Sequence, residues 1–275
     1  LIWTQHGTLG LFDLGKIKKS CQIISAHLSP FEEFEHVGLL AAALYKCYIF
    51  ANSEETKNKL EGLGVPKNNI INFKNAFPIT NCGINSRQGT LHKIAIISNH
   101  IPNEILQAAT LMQASGIEVD IYGKDYNSTR INPSVLKSYD AVITIGKTVQ
   151  YALTIGVPVY CYDQFGGPGW LTENNFKSAE FYNFSGRCCK TKKQSHVICI
   201  EIIDSYNEAF AFSSSMHNYS IDNYDLGKYI SKILTNEFQE IEISNLNLIE
   251  IAKKSITAGA NIIKRLSKVA FSNQQ

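Results

Sequence analysis

The 275-residue chain contains no apolar run approaching the ~20 residues that a membrane-spanning helix needs. Its apolar stretches, such as residues 23–26 and 37–45, are far shorter. It also lacks an excess of charge of either sign. Lys and Arg number 26 against 24 Asp and Glu, a formal net charge of +2. That balance gives no footing for a protein directed at nucleic acid. Paired CxxC units are missing as well. The cysteines number seven and their spacings are irregular, which predicts reduced, mostly buried thiols in a cytosolic protein and no zinc site. HExxH, GxSxG, a GxGxxG following a strand and an aspartate-rich DxD are all absent, so the metalloprotease, α/β-hydrolase and dinucleotide-fingerprint readings have no support.

What the chain does have is centred on residues 139–170, YDAVITIGKTVQYALTIGVPVYCYDQFGGPGW. The run AVITI at 141–145 is apolar without alternation, as suits a strand buried on both faces of a parallel sheet. Gly146, Lys147 and Thr148 open a short helix that Gly156 ends. Pro158 leads into a second apolar strand, VYCYD, and then a glycine loop, Gly166 to Gly169. Both strands thus end in loops at the carboxyl edge of a sheet, where open α/β folds bind ligands.

The rest of the chain repeats the alternation. Strands are expected at residues 1–6, 22–28, 47–51 and 69–73, with helices opening at Pro30 and after the N-cap Ser53. Pro78, Asn81, Gly83, Asn85, Ser86 and Gly89 mark a linker at 75–92. A second alternating run then begins with strands at 94–97 and 118–122 and a helix between them. Helices are expected over 173–180, 197–212, 226–234 and 246–268. The pattern predicts an α/β protein with parallel sheets and helical crossovers. With 44% apolar residues, the chain can fill a large core.

Gly146-Lys147-Thr148 is not a P-loop, because the glycine that motif needs five places earlier is Ala141. Two readings remain. Gly146 can bring the backbone close to a phosphate at the helix start, with Lys147 and Thr148 adding a charge and a hydroxyl. The alternative is a plain strand-to-helix turn with a solvated lysine. Gly166 and Gly167 admit either a ligand-facing backbone or a tight reversal. Asn99 and His100 follow the first strand of the second run, and Lys124 follows the next. His27 ends a strand in the first run. It is a candidate general base or hydrogen-bond donor, with a backbone-satisfied histidine as the alternative.

The segment FANSEETKNKLEGLGVPKNNIINFKNAFP (50–78) resembles the close of the N-terminal domain of GT-B glycosyltransferases. GKTVQYALTIGVPVYCYDQFGG (146–167) resembles their donor-binding strand–helix–strand. The resemblance extends over about 1–187 and is nearest to the bacterial glycosyltransferase family 4-like group. It implies two Rossmann-like domains facing across a cleft: an acceptor domain at 1–85, incomplete at its start; a nucleotide-sugar domain at 86–245; and a C-terminal helix, 246–275, crossing back to the first. The chain opens at Leu1 inside a strand-like run, so a fragment or trimmed chain is expected, with the usual first strand and glycine-rich loop lying before Leu1.

By position, the resemblance implies that Gly146, Lys147 and Thr148 lie near the donor phosphates or sugar, with Gly166, Gly167, Asn99 and Lys124 around the donor. His27 falls where some members bring a histidine to the sugar. The implied reaction moves a sugar from a nucleotide-sugar to a glycan or lipid-linked acceptor in polysaccharide biosynthesis. The nucleotide-sugar is a substrate; no cofactor and no metal are expected, and no nucleic-acid partner. The expected location is the cytoplasm, with the lysine-rich last helix (Lys253, Lys254, Lys264, Arg265, Lys268) either resting on the inner face of a membrane or simply solvated. One departure matters: Tyr151 precedes Ala152 where retaining members carry a glutamate. A nucleotide-sugar epimerase and an inactive nucleotide- or glycan-binding module are the alternatives on the same scaffold.

Overall fold

The structure is a computed structural model describing residues 1–5, 8, 21–32, 35, 36, 38, 39, 42, 47–80, 83, 89–235, 246, 247, 250, 251 and 259. The chain divides into two compact units, Leu1–Phe73 with Ile233–Gln275, and Lys74–Lys232. Among the described residues no helix is long and apolar enough to cross a membrane.

Among its described residues the first unit holds four strands, β1 (Ile2–Gln5), β2 (Ile23–His27), β3 (Tyr48–Ala51) and β4 (Ile70–Asn72), all parallel and in sheet order β1-β2-β3-β4. Every residue of β2 and β3 is buried, including the polar Ser25 and His27 of β2, as suits parallel strands covered on both faces. Helix α1 (Glu54–Gly62) starts where the Ser53 side chain accepts the Thr56 N–H, with Glu54 and Glu55 in its first turn. Ile23, Ile49, Leu60, Val65 and Ile70 form the core together with Leu246 and Ile251. The Asn247 N–H donates to the Leu63 carbonyl at 2.8 Å. The rest of the expected last helix, with its lysines, lies outside the described residues, as does most of the helix expected after Pro30.

The second unit is a five-stranded sheet of β5 (Lys93–Ile97), β6 (Glu118–Tyr122), β7 (Ala141–Thr144), β8 (Val159–Asp163) and β9 (Gly166–Trp170) in the order β6-β5-β7-β8-β9. The first four are parallel and β9 runs antiparallel to β8. Its helices are α2 (Asn103–Ala114), α3 (Pro133–Leu136), α4 (Lys147–Thr154), α5 (Glu173–Phe181), α6 (Ser195–Asp204), α7 (Tyr206–Ser215), α8 (His217–Tyr224) and α9 (Leu226–Thr235), the division between the units falling inside α9. Neighbouring residues of one strand enter different cores. Val142 packs with Val149, Leu153, Phe184 and Tyr224, while Ala141 and Ile143 pack with Met112, Tyr160 and Ile198. The sheet is covered on both faces, a Rossmann-like α/β arrangement.

The second unit takes in the chain from Lys74. Phe77 already bridges to Asp225, donating its N–H to the Tyr224 carbonyl at 2.9 Å and accepting the Leu226 N–H at 3.0 Å. The single helix expected over 197–212 is two, α6 and α7, separated at Ser205. Gly166 to Gly169 belong to a strand, not a loop. Pro168 is tolerated there because β9 is the sheet's edge.

Candidate functional site

In the second unit β5 comes first in sequence, β6 adds to one side of it and β7 to the other. The strands stay parallel, but the side on which the chain adds them reverses between β5 and β7. The carboxyl ends of two such strands splay their following loops apart and leave a crevice. A pocket of about 560 Å³ lies there. The Thr144 hydroxyl spans its base, donating to the Ile97 carbonyl across the two strands at 2.9 Å. The walls come from the ends of four parallel strands: residues 97–100 after β5, 122–124, 127–129 and 131 after β6, 144–145 with Thr148 after β7, and 163–165 after β8, with Arg187 completing the lining.

Helix α4 starts at the pocket. Its N-cap is Gly146, at φ 60 and ψ −141. That backbone conformation is open to glycine and strained for other residues. The Gly146 N–H donates to the Asn183 carbonyl at 3.2 Å. The amides of Lys147 and Thr148 have no carbonyl in their own helix to bind, so the helix presents a positive end beside the pocket. No side chain caps it.

Two cations, Lys124 and Arg187, belong to the lining, and a third lies on the first turn of α4. Lys147 stands beside Thr148 with its ammonium over the Tyr151 ring, 5.9 Å from the centroid. The surrounding protein strips water from this ammonium although much of the side chain is exposed, and Arg130 adds like charge. Both effects hold its pKa below the ordinary value. The one carboxylate in the lining, Asp163, is engaged: it accepts the Ser185 hydroxyl at 2.6 Å, the Gly186 N–H at 3.1 Å and the Phe165 N–H at 2.8 Å. Among the described residues no group of three His, Cys, Asp or Glu could hold a metal ion.

Of the residues singled out in the sequence, Asn99, His100, Lys124 and Thr148 line the pocket together. Gly146 and Lys147 lie between the lining residues Ile145 and Thr148 without lining it themselves. Gly166 and Gly167 do not line it either. A Cβ on Gly166 would lie 2.1 Å from the Thr191 carbonyl oxygen, and one on Gly167 2.0 Å from the Cys161 carbonyl oxygen. Their lack of a side chain is used by protein backbone.

His27 belongs to the first unit, at the end of β2, only 1% exposed. Its Nε2 lies 3.3 Å from Ser25 Oγ, and its ring stacks on that of His36 with centroids 6.5 Å apart. Burial, then the like charge of His36, lower its pKa from 6.5 to about 3, against an opposing contribution from the Glu35 backbone. It is neutral at ordinary pH.

Asp163, Gln164, Phe165 and Arg187 were not singled out by sequence. The signal for the first three was available, since DQF directly follows the apolar run of β8 and so falls at the sheet's carboxyl edge. Arg187 had none, because the turn that brings it there depends on Asp163 binding Ser185 and Gly186.

No protein-family model matches the chain, and no curated protein sequence does. Among solved structures, it is similar to Anabaena Alr3699/HepE in complex with UDP and glucose, at 15% identity and a TM-score of 0.44, covering 78% of this chain and 71% of that one. It is similar also to Anabaena Alr3699/HepE in complex with UDP, at 13% identity and a TM-score of 0.44, over 78% and 72%.

Proposed function

We propose that the protein is a nucleotide-sugar-dependent glycosyltransferase of GT-B architecture, with the donor diphosphate held in the pocket of the second unit. The observation that carries the reading is the pocket's place: at a switch point of a parallel sheet, against the open start of α4, with Lys124 and Arg187 in its lining and Lys147 on the first turn of that helix. A leaving diphosphate gathers negative charge as the sugar departs. Amides and cations fixed in advance around it lower the barrier without needing to reorganise. In this reading the cations and the helix start take the part that a bound metal plays elsewhere. The acceptor is a glycan or lipid-linked sugar, as the sequence resemblance implies.

His27 has a more limited part. With a pKa of about 3 it is too weak a base to take a proton from a sugar hydroxyl at neutral pH. We assign it a neutral hydrogen-bonding role in the acceptor half.

One observation favours a second reading. Tyr151 stands where retaining enzymes of this type carry a glutamate, and its ring packs edge-on against Phe77 at 4.6 Å. A position used for packing suits a module that binds nucleotide without transferring sugar. Binding of nucleoside diphosphates, followed by donor turnover with and without acceptor sugars, decides between them. On the transferase reading Lys147→Ala is expected to weaken nucleoside-diphosphate binding far more than it lowers thermal stability, and His27→Ala to spare binding while lowering turnover; unchanged turnover would make His27 structural. Equal affinity in Lys147→Ala and the parent removes the phosphate role. Binding without turnover leaves the module, whereas release of free sugar without acceptor marks an epimerase.

A further inference from the structure

Phe165 occupies a position where local structure does not call for it. Strands β8 and β9 are joined by Gln164 and Phe165 alone. Two-residue hairpin connections favour Gly, Asn and Asp. Here the flanks already supply what the turn needs: Gly166 takes the left-handed position at φ 93, and Asp163 accepts the Phe165 N–H at 2.8 Å. The phenyl ring adds nothing to the turn. It belongs to neither core of the second unit, and Phe165 remains 39% exposed.

The ring does form part of the pocket lining. Arg187 lies over one face, its guanidinium carbon 5.8 Å from the ring centre. That guanidinium is fixed in turn, donating to Ser185 Oγ at 2.9 Å. The amide of Gln164, also in the lining, can both donate to and accept from a polar ring edge. An exposed aromatic, a positioned cation and an amide at one end of a pocket match a flat heteroaromatic group carried on an anionic chain.

Resting on the nucleotide reading above, we propose that Phe165 is the platform on which the nucleobase of the donor stacks, with Gln164 facing the base edge. The base then lies at the β8–β9 turn and the diphosphate extends toward the start of α4. Base–aromatic stacking tolerates any base, so Phe165 provides affinity and Gln164 the preference among bases.

Calorimetric titration of the full chain with inorganic pyrophosphate and with the four common nucleoside diphosphates tests this. Phe165→Ala is expected to weaken the preferred nucleoside diphosphate about tenfold or more, the size of one lost base stack, and to leave pyrophosphate binding unchanged. Phe165→Tyr should bind as the parent does. Phe165→Leu, apolar and of similar bulk but without a ring face, should resemble Phe165→Ala. The assignment is overturned if Phe165→Leu binds as tightly as the parent, or if Phe165→Ala loses pyrophosphate and nucleoside diphosphate equally. If the parent binds pyrophosphate but gains nothing from a nucleoside, the platform falls and the diphosphate site stands. If it binds none of these probes, the nucleotide reading falls and the platform with it.

Discussion

The Ser185 hydroxyl donates a 2.6 Å hydrogen bond to Asp163 Oδ2, and both residues are buried. The same oxygen accepts the Gly186 N–H, and Oδ1 accepts the N–H of Phe165. One carboxylate thereby joins the β8–β9 turn to the segment that carries Arg187. Asp163→Ala would leave a buried hydroxyl and a buried amide without an acceptor. At about 1–3 kcal/mol for each orphaned group, the variant should lose roughly 3 kcal/mol of stability. Asp163→Asn keeps one carbonyl oxygen and should lose about half as much. Urea unfolding measures both. A loss below about 1 kcal/mol in the alanine variant would mean that the carboxylate does not hold this wall.

The glycines beside that turn should behave unlike those elsewhere. A Cβ on Gly186 would sit 1.9 Å from the Gly166 carbonyl oxygen, and one on Gly167 2.0 Å from that of Cys161. Both obstacles are backbone within or against a sheet, so neither can swing aside as a side-chain tip would. Gly186→Ala and Gly167→Ala are each expected to cost more than about 3 kcal/mol or to yield no soluble protein, at the upper end of the overpacking range. Gly62 ends α1 with nothing within 4 Å of its added Cβ. Gly62→Ala should stabilise by roughly 0.5–1 kcal/mol through helix propensity. Similar melting temperatures for all three variants would contradict the close packing around β9.

Part of the fold was legible because fully buried strands such as the VYCYD run report their burial directly, and the Ser53 cap in the first unit is a matter of local chemistry. What escaped depends on contacts between distant residues. The run GGPGW reads as a loop because glycine and proline dominate it. It is a strand because the backbones of Cys161 and Thr191 approach too closely for any side chain, and Gly167 donates its N–H to Thr191 at 2.9 Å. The bridge from Phe77 to Asp225 escaped for the same reason, since the two lie far apart in sequence. The place of Asn99, Lys124 and Thr148 at the sheet's carboxyl edge, where the pocket lies, was legible from the strand pattern. The burial of His27 was not, because one residue at a strand's end says nothing about what covers it.

The pKa of His27 gives a pH dependence whose sign is fixed. Its folded value, about 3, lies below the ordinary 6.5. Between those values the unfolded chain binds a proton that the folded chain refuses. Stability is therefore undiminished by this residue above pH 6.5, falls as pH drops through the window, and reaches its full loss below about pH 3. The slope from this one group is at most roughly 1.4 kcal/mol per pH unit. His27→Gln can still hydrogen-bond but does not titrate. Urea midpoints at pH 7, 6, 5 and 4 should fall less steeply in His27→Gln than in the parent. Parallel slopes would show that His27 is hydrated and titrates normally.

Glu180 on α5 gathers three donors in the second unit. It accepts the Tyr224 hydroxyl at 2.7 Å and the Tyr219 hydroxyl at 2.9 Å, and pairs with Lys74 at 3.1 Å. Tyr224 is fully buried, and burial followed by the Glu180 charge pushes its phenol well above the usual range. Its backbone carbonyl accepts the Phe77 N–H. The carboxylate thus supports the point where the chain enters this unit. Glu180→Gln keeps an acceptor for the tyrosines and gives up the pairing with Lys74, whose side chain is 21% exposed and so partly hydrated. Its expected cost is about 1 kcal/mol, the range of a solvent-screened pair. Glu180→Leu also strands the buried Tyr224 hydroxyl, adding about 1–3 kcal/mol. Amide exchange at Phe77 should accelerate more in the leucine variant than in the glutamine variant, by a larger factor than at Ile94 in the central strand β5. Uniform acceleration across the unit would mean that Glu180 contributes to overall stability without holding the entry segment in particular.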